Sequence, residues 1–108
     1  MTNEIEPCVV VMTTCEDQAQ ADAITQAIIE QKLAACVQQQ LIKSCYWWED
    51  RIQSGSEIQL QIKTKATLFS RLEKVITELH SYDVPEIIAT PIIEGHQPYL
   101  KWISEVTI

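Results

Sequence analysis

From Ala34 to Trp48 the chain runs "AACVQQQLIKSCYWW" with neither glycine nor proline, and a second extended stretch begins just after Glu49-Asp50. Such a run reads as a strand, because β-branched and aromatic residues fill it and turn residues fall only at the break. The second arm contains "EIQLQIK", in which Ile58, Leu60 and Ile62 alternate with Glu57, Gln59, Gln61 and Lys63, the period of a half-buried antiparallel strand. Gly55, upstream in that arm, predicts a bulge or bend. Arms of about fourteen residues extend roughly 45 Å at ~3.3 Å per residue, while a domain of about 100 residues has a radius of gyration near ~13 Å. The hairpin must overhang its own sheet or fold back on it. An overhang bares Leu41, Ile42 and Trp47 on open edges, so the pattern predicts an obligate oligomer built through the hairpin.

The flanking segments complete an order. "CVVVMTTC" (8–15) is a central strand that stops at the polar "EDQ", and a helix follows with Ala21, Ile24, Ala27, Ile28 and Gln31 at helical spacing. After the hairpin, Leu68, Leu72, Val75, Ile76 and Leu79 mark a second amphipathic helix. "EIIATPIIEG" is a strand that Pro91 confines to an edge or a bulge. A last helix, with Pro98 near its first turn, carries Tyr99, Trp102, Ile103 and Val106. The expected fold is therefore α+β: a ferredoxin-like βαββαβ sandwich with an antiparallel sheet, a long hairpin between the second and third strands, and a C-terminal helix. Its 108 residues suit a single domain over 1–108, with 1–7 as an N-terminal tail.

Composition narrows the function classes. A net charge of −7, with eight scattered Lys and Arg, is wrong for a phosphate backbone, so neither nucleic acid nor a membrane surface is expected as partner. Apolar runs are too short to span a bilayer, and "MTNEIEPC" lacks the pattern of a secretion signal. Cys8, Cys15, Cys36 and Cys45 form no C-x-x-C pair and read as free thiols of a cytoplasmic protein. Two glycines cannot build a dinucleotide or phosphate loop, and no nucleophile elbow or zinc-protease motif occurs. No organic cofactor and no enzymatic activity are expected.

The polar constellation that remains centres on "LHSYDVPE" (79–86), where Val84-Pro85 turns helix into strand. His80, Tyr82 and Glu86 come from this connector, and Glu57 and Lys63 share one face of the neighbouring strand. If another subunit covers that face, these groups meet in a partly buried cleft, either as a ligand site or as a satisfied polar network at a subunit seam.

Five blocks in order, "KLAACV", "YWWEDRI", "EIQLQIKT", "HSYDVPEI" and "YLKWI", make the chain resemble the bacterial CutA1-type divalent-cation tolerance proteins from about Val9 to Ile103. The resemblance implies a homotrimer of interlocked hairpins that binds copper(II) or another divalent cation and takes part in the response to metal ions. It also implies metal ligands at a cysteine near the end of the first strand and at a His pair before the Tyr-x-x-Pro-Glu block. Here those places hold Thr13 and Leu79-His80, so the expected set becomes His80, Glu86 and Cys15, the last two residues beyond Thr13 on the same strand face. Trp48, Glu57, Lys63 and Tyr82 stand where the family lines its inter-subunit cleft. The trimer of that family resembles PII signalling proteins, so a PII-like small-molecule sensor and a trimer without a specific ligand are the alternatives.

Overall fold

The computed structural model describes residues 6–108. The expected tail over 1–7 lies outside the described residues for positions 1–5; of the rest, Pro7 accepts a hydrogen bond from the Ala66 amide and Glu6 pairs with Lys65. The elements are β1 (Cys8–Cys15), α1 (Gln18–Glu30), β2 (Cys36–Trp48), β3 (Arg51–Lys65), α2 (Phe69–Leu79) after a single 3-10 turn, β4 (Ile87–Pro91) and α3 (Gln97–Val106). The strands form one antiparallel sheet in the order β2-β3-β1-β4, the ferredoxin-like arrangement that the element order predicts.

Local chemistry accounts for the boundaries. Asp17 caps α1, its side chain accepting from the Gln20 amide at 2.9 Å, which satisfies one of the orphan donors of the first turn. The helix closes at Gln31, which is exposed rather than part of the apolar face, and Lys32 follows at φ 57°. Pro91 ends β4, an edge strand, where its missing N–H costs the ladder nothing. Gly55 does not bulge. It pairs with Ser44 in an unbroken register from Cys36↔Lys63 to Trp48↔Arg51, because the turn at Glu49-Asp50 alone supplies the reversal.

The core lies between one face of the sheet and helices α1 and α2. Val11 and Cys15 of β1, Leu60 and Ile62 of β3, Ala21, Ile24 and Ile28 of α1, and Leu72 and Ile76 of α2 are all fully buried there. At about 25 cal/mol per Å² this burial is the main force holding the sheet to its helices. α3 packs against β3 and β1 and buries Ile103, while Tyr99, Trp102 and Val106 stay partly exposed.

The hairpin overhangs. β1 accompanies β3 only from Lys65 to Ile58, so residues 51–57 have β2 as their one neighbour, and the molecule stretches to 55 Å along its longest axis. Trp47 and Ile52 on this projection are 72% and 65% exposed, and Leu41 at its root, opposite Ile58, is 70% exposed.

Candidate functional site: the cleft at the root of the hairpin

Where the hairpin leaves the sheet, the connector between α2 and β4 passes beside it, fastened by a short chain of hydrogen bonds. The side chain of Gln20 donates to the Leu79 carbonyl at 3.0 Å and accepts from the Ser81 amide at 2.6 Å, joining the end of α2 to the first turns of α1. Its single amide thereby satisfies a helix-end carbonyl and a loop N–H that would otherwise depend on water. The Tyr82 amide donates to Nδ1 of His80 at 3.1 Å, which leaves Nε2 as the protonated nitrogen, donating to the Thr14 carbonyl at 2.8 Å. The ring of Tyr82 also packs on that of His80, their centroids 4.9 Å apart.

Held this way, Tyr82 reaches across to β3, and its hydroxyl donates to Glu57 at 2.8 Å. Glu57 is only 9% exposed. Burial and the carboxylate beside it raise the Tyr82 phenol well above its ordinary range, so at neutral pH it is a fixed donor. Between connector and hairpin opens a cleft of about 770 Å³, walled by Tyr46, Trp48, Glu57, Tyr82, Asp83 and Glu86, with Lys43 as its basic side chain. Tyr46 and Trp48 share the strand face of Ile42, which lies opposite Glu57.

The residues expected from sequence divide. Trp48, Glu57, Tyr82 and Glu86 come together in the cleft. Lys63 lies further along β3, away from it, where its ammonium is bonded to Gln38. His80 stands behind the wall with both ring nitrogens engaged. Cys15 shares the face of Thr13, as its spacing predicts, but that face is the packed core, where the residue is fully buried opposite Ile58. Burial, reinforced by Glu57 and Asp17, pushes its thiol up to about 11, far from the thiolate that a metal ligand must be. No group of three or more His, Cys, Asp or Glu that could hold an ion occurs among the described residues, so His80, Cys15 and Glu86 do not fit a metal shell within one chain. Gln20, which holds the connector, is absent from the sequence expectations, since nothing in its neighbourhood separates it from any other surface glutamine.

Comparison with known proteins agrees with this architecture. The mouse protein CutA is 39% identical over 95 residues, 87% of this chain, although the chain spans only 54% of that relative's length. The crystal structure of CutA1 from Oryza sativa superposes with a TM-score of 0.93 at 39% identity, covering 96% of each chain. The periplasmic divalent cation tolerance protein CutA from Archaeoglobus fulgidus gives a TM-score of 0.90 at 34% identity, over 92% of this chain and 97% of the other. The family model for CutA1 divalent ion tolerance protein matches residues 9–106, from β1 through the end of α3, and with the overhanging hairpin and its order of strands in place, the chain belongs to that family.

Proposed function

We propose that this chain acts in tolerance of divalent cations such as copper(II), as a cytoplasmic homotrimer assembled through its hairpins, with no catalysis of its own. The observation that carries the reading is the projection of β2 and β3 beyond β1, with Trp47 and Ile52 bare on it, Leu41 bare at its root, and the cleft at its base. Apolar side chains on an isolated two-stranded ribbon call for a covering surface, and identical ribbons from other copies supply one with closed symmetry. The number three comes from the family resemblance. Four free cysteines suit a reducing compartment, and no helix among the described residues is long and apolar enough to cross a membrane.

The cation enters this reading as cargo or signal. Because cleft and hairpin share Tyr46, Trp47 and Trp48, a ligand there contacts the assembly surface itself and favours whichever packing binds it. That coupling also favours the PII-like reading, in which a small molecule is sensed in the cleft.

Sedimentation of the reduced protein, with calorimetric titration of copper(II) and zinc(II), tests the proposal. A particle of three chains and a saturable response to at least one ion, retained in Cys15→Ser because that thiol is sealed in the core, are expected. A monomer, or a trimer indifferent to both ions, would sink it.

A further inference from the structure

Among the described residues, Glu57 has no counter-charge within hydrogen-bond or ion-pair distance. The residue is only 9% exposed and its carboxylate accepts from Tyr82, yet no lysine, arginine or histidine among the described residues pairs with it. A buried carboxylate without a cation is costly, and Tyr82 supplies a hydrogen bond but no positive charge. Two further carboxylates, Asp83 and Glu86, line the same cleft.

These acids do not converge on a point. A bare divalent ion needs several donors within roughly 2.0–2.6 Å of one centre. The cleft offers instead three separated carboxylates against the single ammonium of Lys43, the aromatic side chains of Tyr46, Trp48 and Tyr82 among its walls, and about 770 Å³ of space, a volume typical of small-molecule sites. Its complement is an extended cation with spaced charges and apolar links. Ammonium groups are drawn both to carboxylates and to aromatic faces, and methylene chains pack on indole and phenol rings.

We propose that the cleft binds a linear aliphatic polyamine, with one ammonium on Glu57 beside Tyr82, the methylene chain along Trp48, and a second ammonium at Glu86 or Asp83. This rests on the reading of the cleft as a ligand site coupled to assembly. The competing occupant is a basic side chain of a second copy, and the test separates the two.

The probe is spermidine, titrated into the assembled, reduced protein at physiological salt by calorimetry and thermal shift, with magnesium as a control for charge alone and tetramethylammonium for aromatic contact alone. Saturable binding of spermidine, stronger than either control, is expected. Glu57→Gln, which keeps an acceptor for Tyr82, should weaken it by about tenfold or more, and Glu86→Gln by a smaller factor. If Glu57→Gln does not fold, Glu86→Gln and Trp48→Leu, both at exposed positions, carry the test and should each weaken binding. Spermidine heats no larger than those of magnesium overturn the proposal, as does binding left intact by the cleft substitutions. An unresponsive cleft in a protein that still answers copper(II) would mean that a neighbouring copy neutralises Glu57, with the divalent-cation reading left standing. Spermidine binding without any metal response would support the polyamine site and remove the divalent cation as its ligand.

Discussion

Between residues 58 and 63, β3 lies between two strands with helices packed on one face, and Leu60 and Ile62 are fully buried; between 51 and 57 the same strand has one neighbour, and Ile52 is exposed. The pleat and its register with β2 run on unbroken, but the apolar alternation stops: 53–57 read Gln-Ser-Gly-Ser-Glu, and Ile52 alone is apolar beyond Ile58. The surrounding structure changes at the same place, since β1 is too short to follow β3 past Ile58. One strand therefore folds at its C-terminal end and, in the assembly proposed above, associates at its N-terminal end, with the cleft at the change between them.

The sharpest way to break this comparison is to truncate one side chain in each half. Ile62→Ala should lower unfolding free energy by about 2–5 kcal/mol, the cost of a core cavity. Ile52→Ala should change the stability of the isolated chain by no more than about 0.5 kcal/mol, as at other exposed sites, while weakening association measured by sedimentation. Equal losses in both would mean that the overhang folds back on its own sheet.

Next in size is the tether of the connector. Gln20→Ala removes both the donor to Leu79 and the acceptor for Ser81. A loss of about 1–3 kcal/mol in chemical denaturation is expected, with faster amide exchange in residues 80–86 than in β3. Exchange unchanged in the connector would show that His80 and Tyr82 hold it unaided.

Much of this contrast was legible in the sequence. The alternation of Ile58, Leu60 and Ile62, the absence of breakers from Ala34 to Trp48 and the length of the arms predicted both the sheet and its overhang. Parity along β1 correctly put Cys15 on the face of Thr13, but periodicity fixes which residues share a face and not which face meets the helices, and Thr and Cys are ambiguous between the two. Lys63 and Glu57 share a face for the same reason, yet distance along the strand parts them. Gln20 and the commitment of Nε2 of His80 to the Thr14 carbonyl depend on contacts between segments about sixty residues apart, which no local pattern encodes.

A smaller effect separates the halves by pH. Cys15, in the packed half, has its thiol pushed from 9.0 to about 11, first by burial and then by Glu57 and Asp17. The folded state thus favours the protonated thiol, so its contribution is whole below pH 9.0 and declines as pH rises toward about 11. The urea midpoint should fall across that window more steeply in the parent protein than in Cys15→Ala, and equal slopes would refute the assignment. Exposed Cys45, in the projecting half, should react with iodoacetamide when the hairpin is uncovered, and Cys15 should not.

The smallest expected effect lies at the tip, and it tests whether the projecting half is tuned for stability at all. Glu49 and Asp50 turn the hairpin with φ of 52° and 60°, the left-handed pair of a two-residue type I′ turn. Glutamate is a poor residue there, because its Cβ crowds the backbone, whereas Asn and Gly adopt this conformation readily. Replacing Glu49-Asp50 by Asn-Gly should therefore raise the stability of the isolated chain by about 0.5–1 kcal/mol, read as a higher melting temperature. If instead the double change leaves melting untouched but alters sedimentation, the charged tip acts between copies, and its strain is retained for contacts that a single chain does not make.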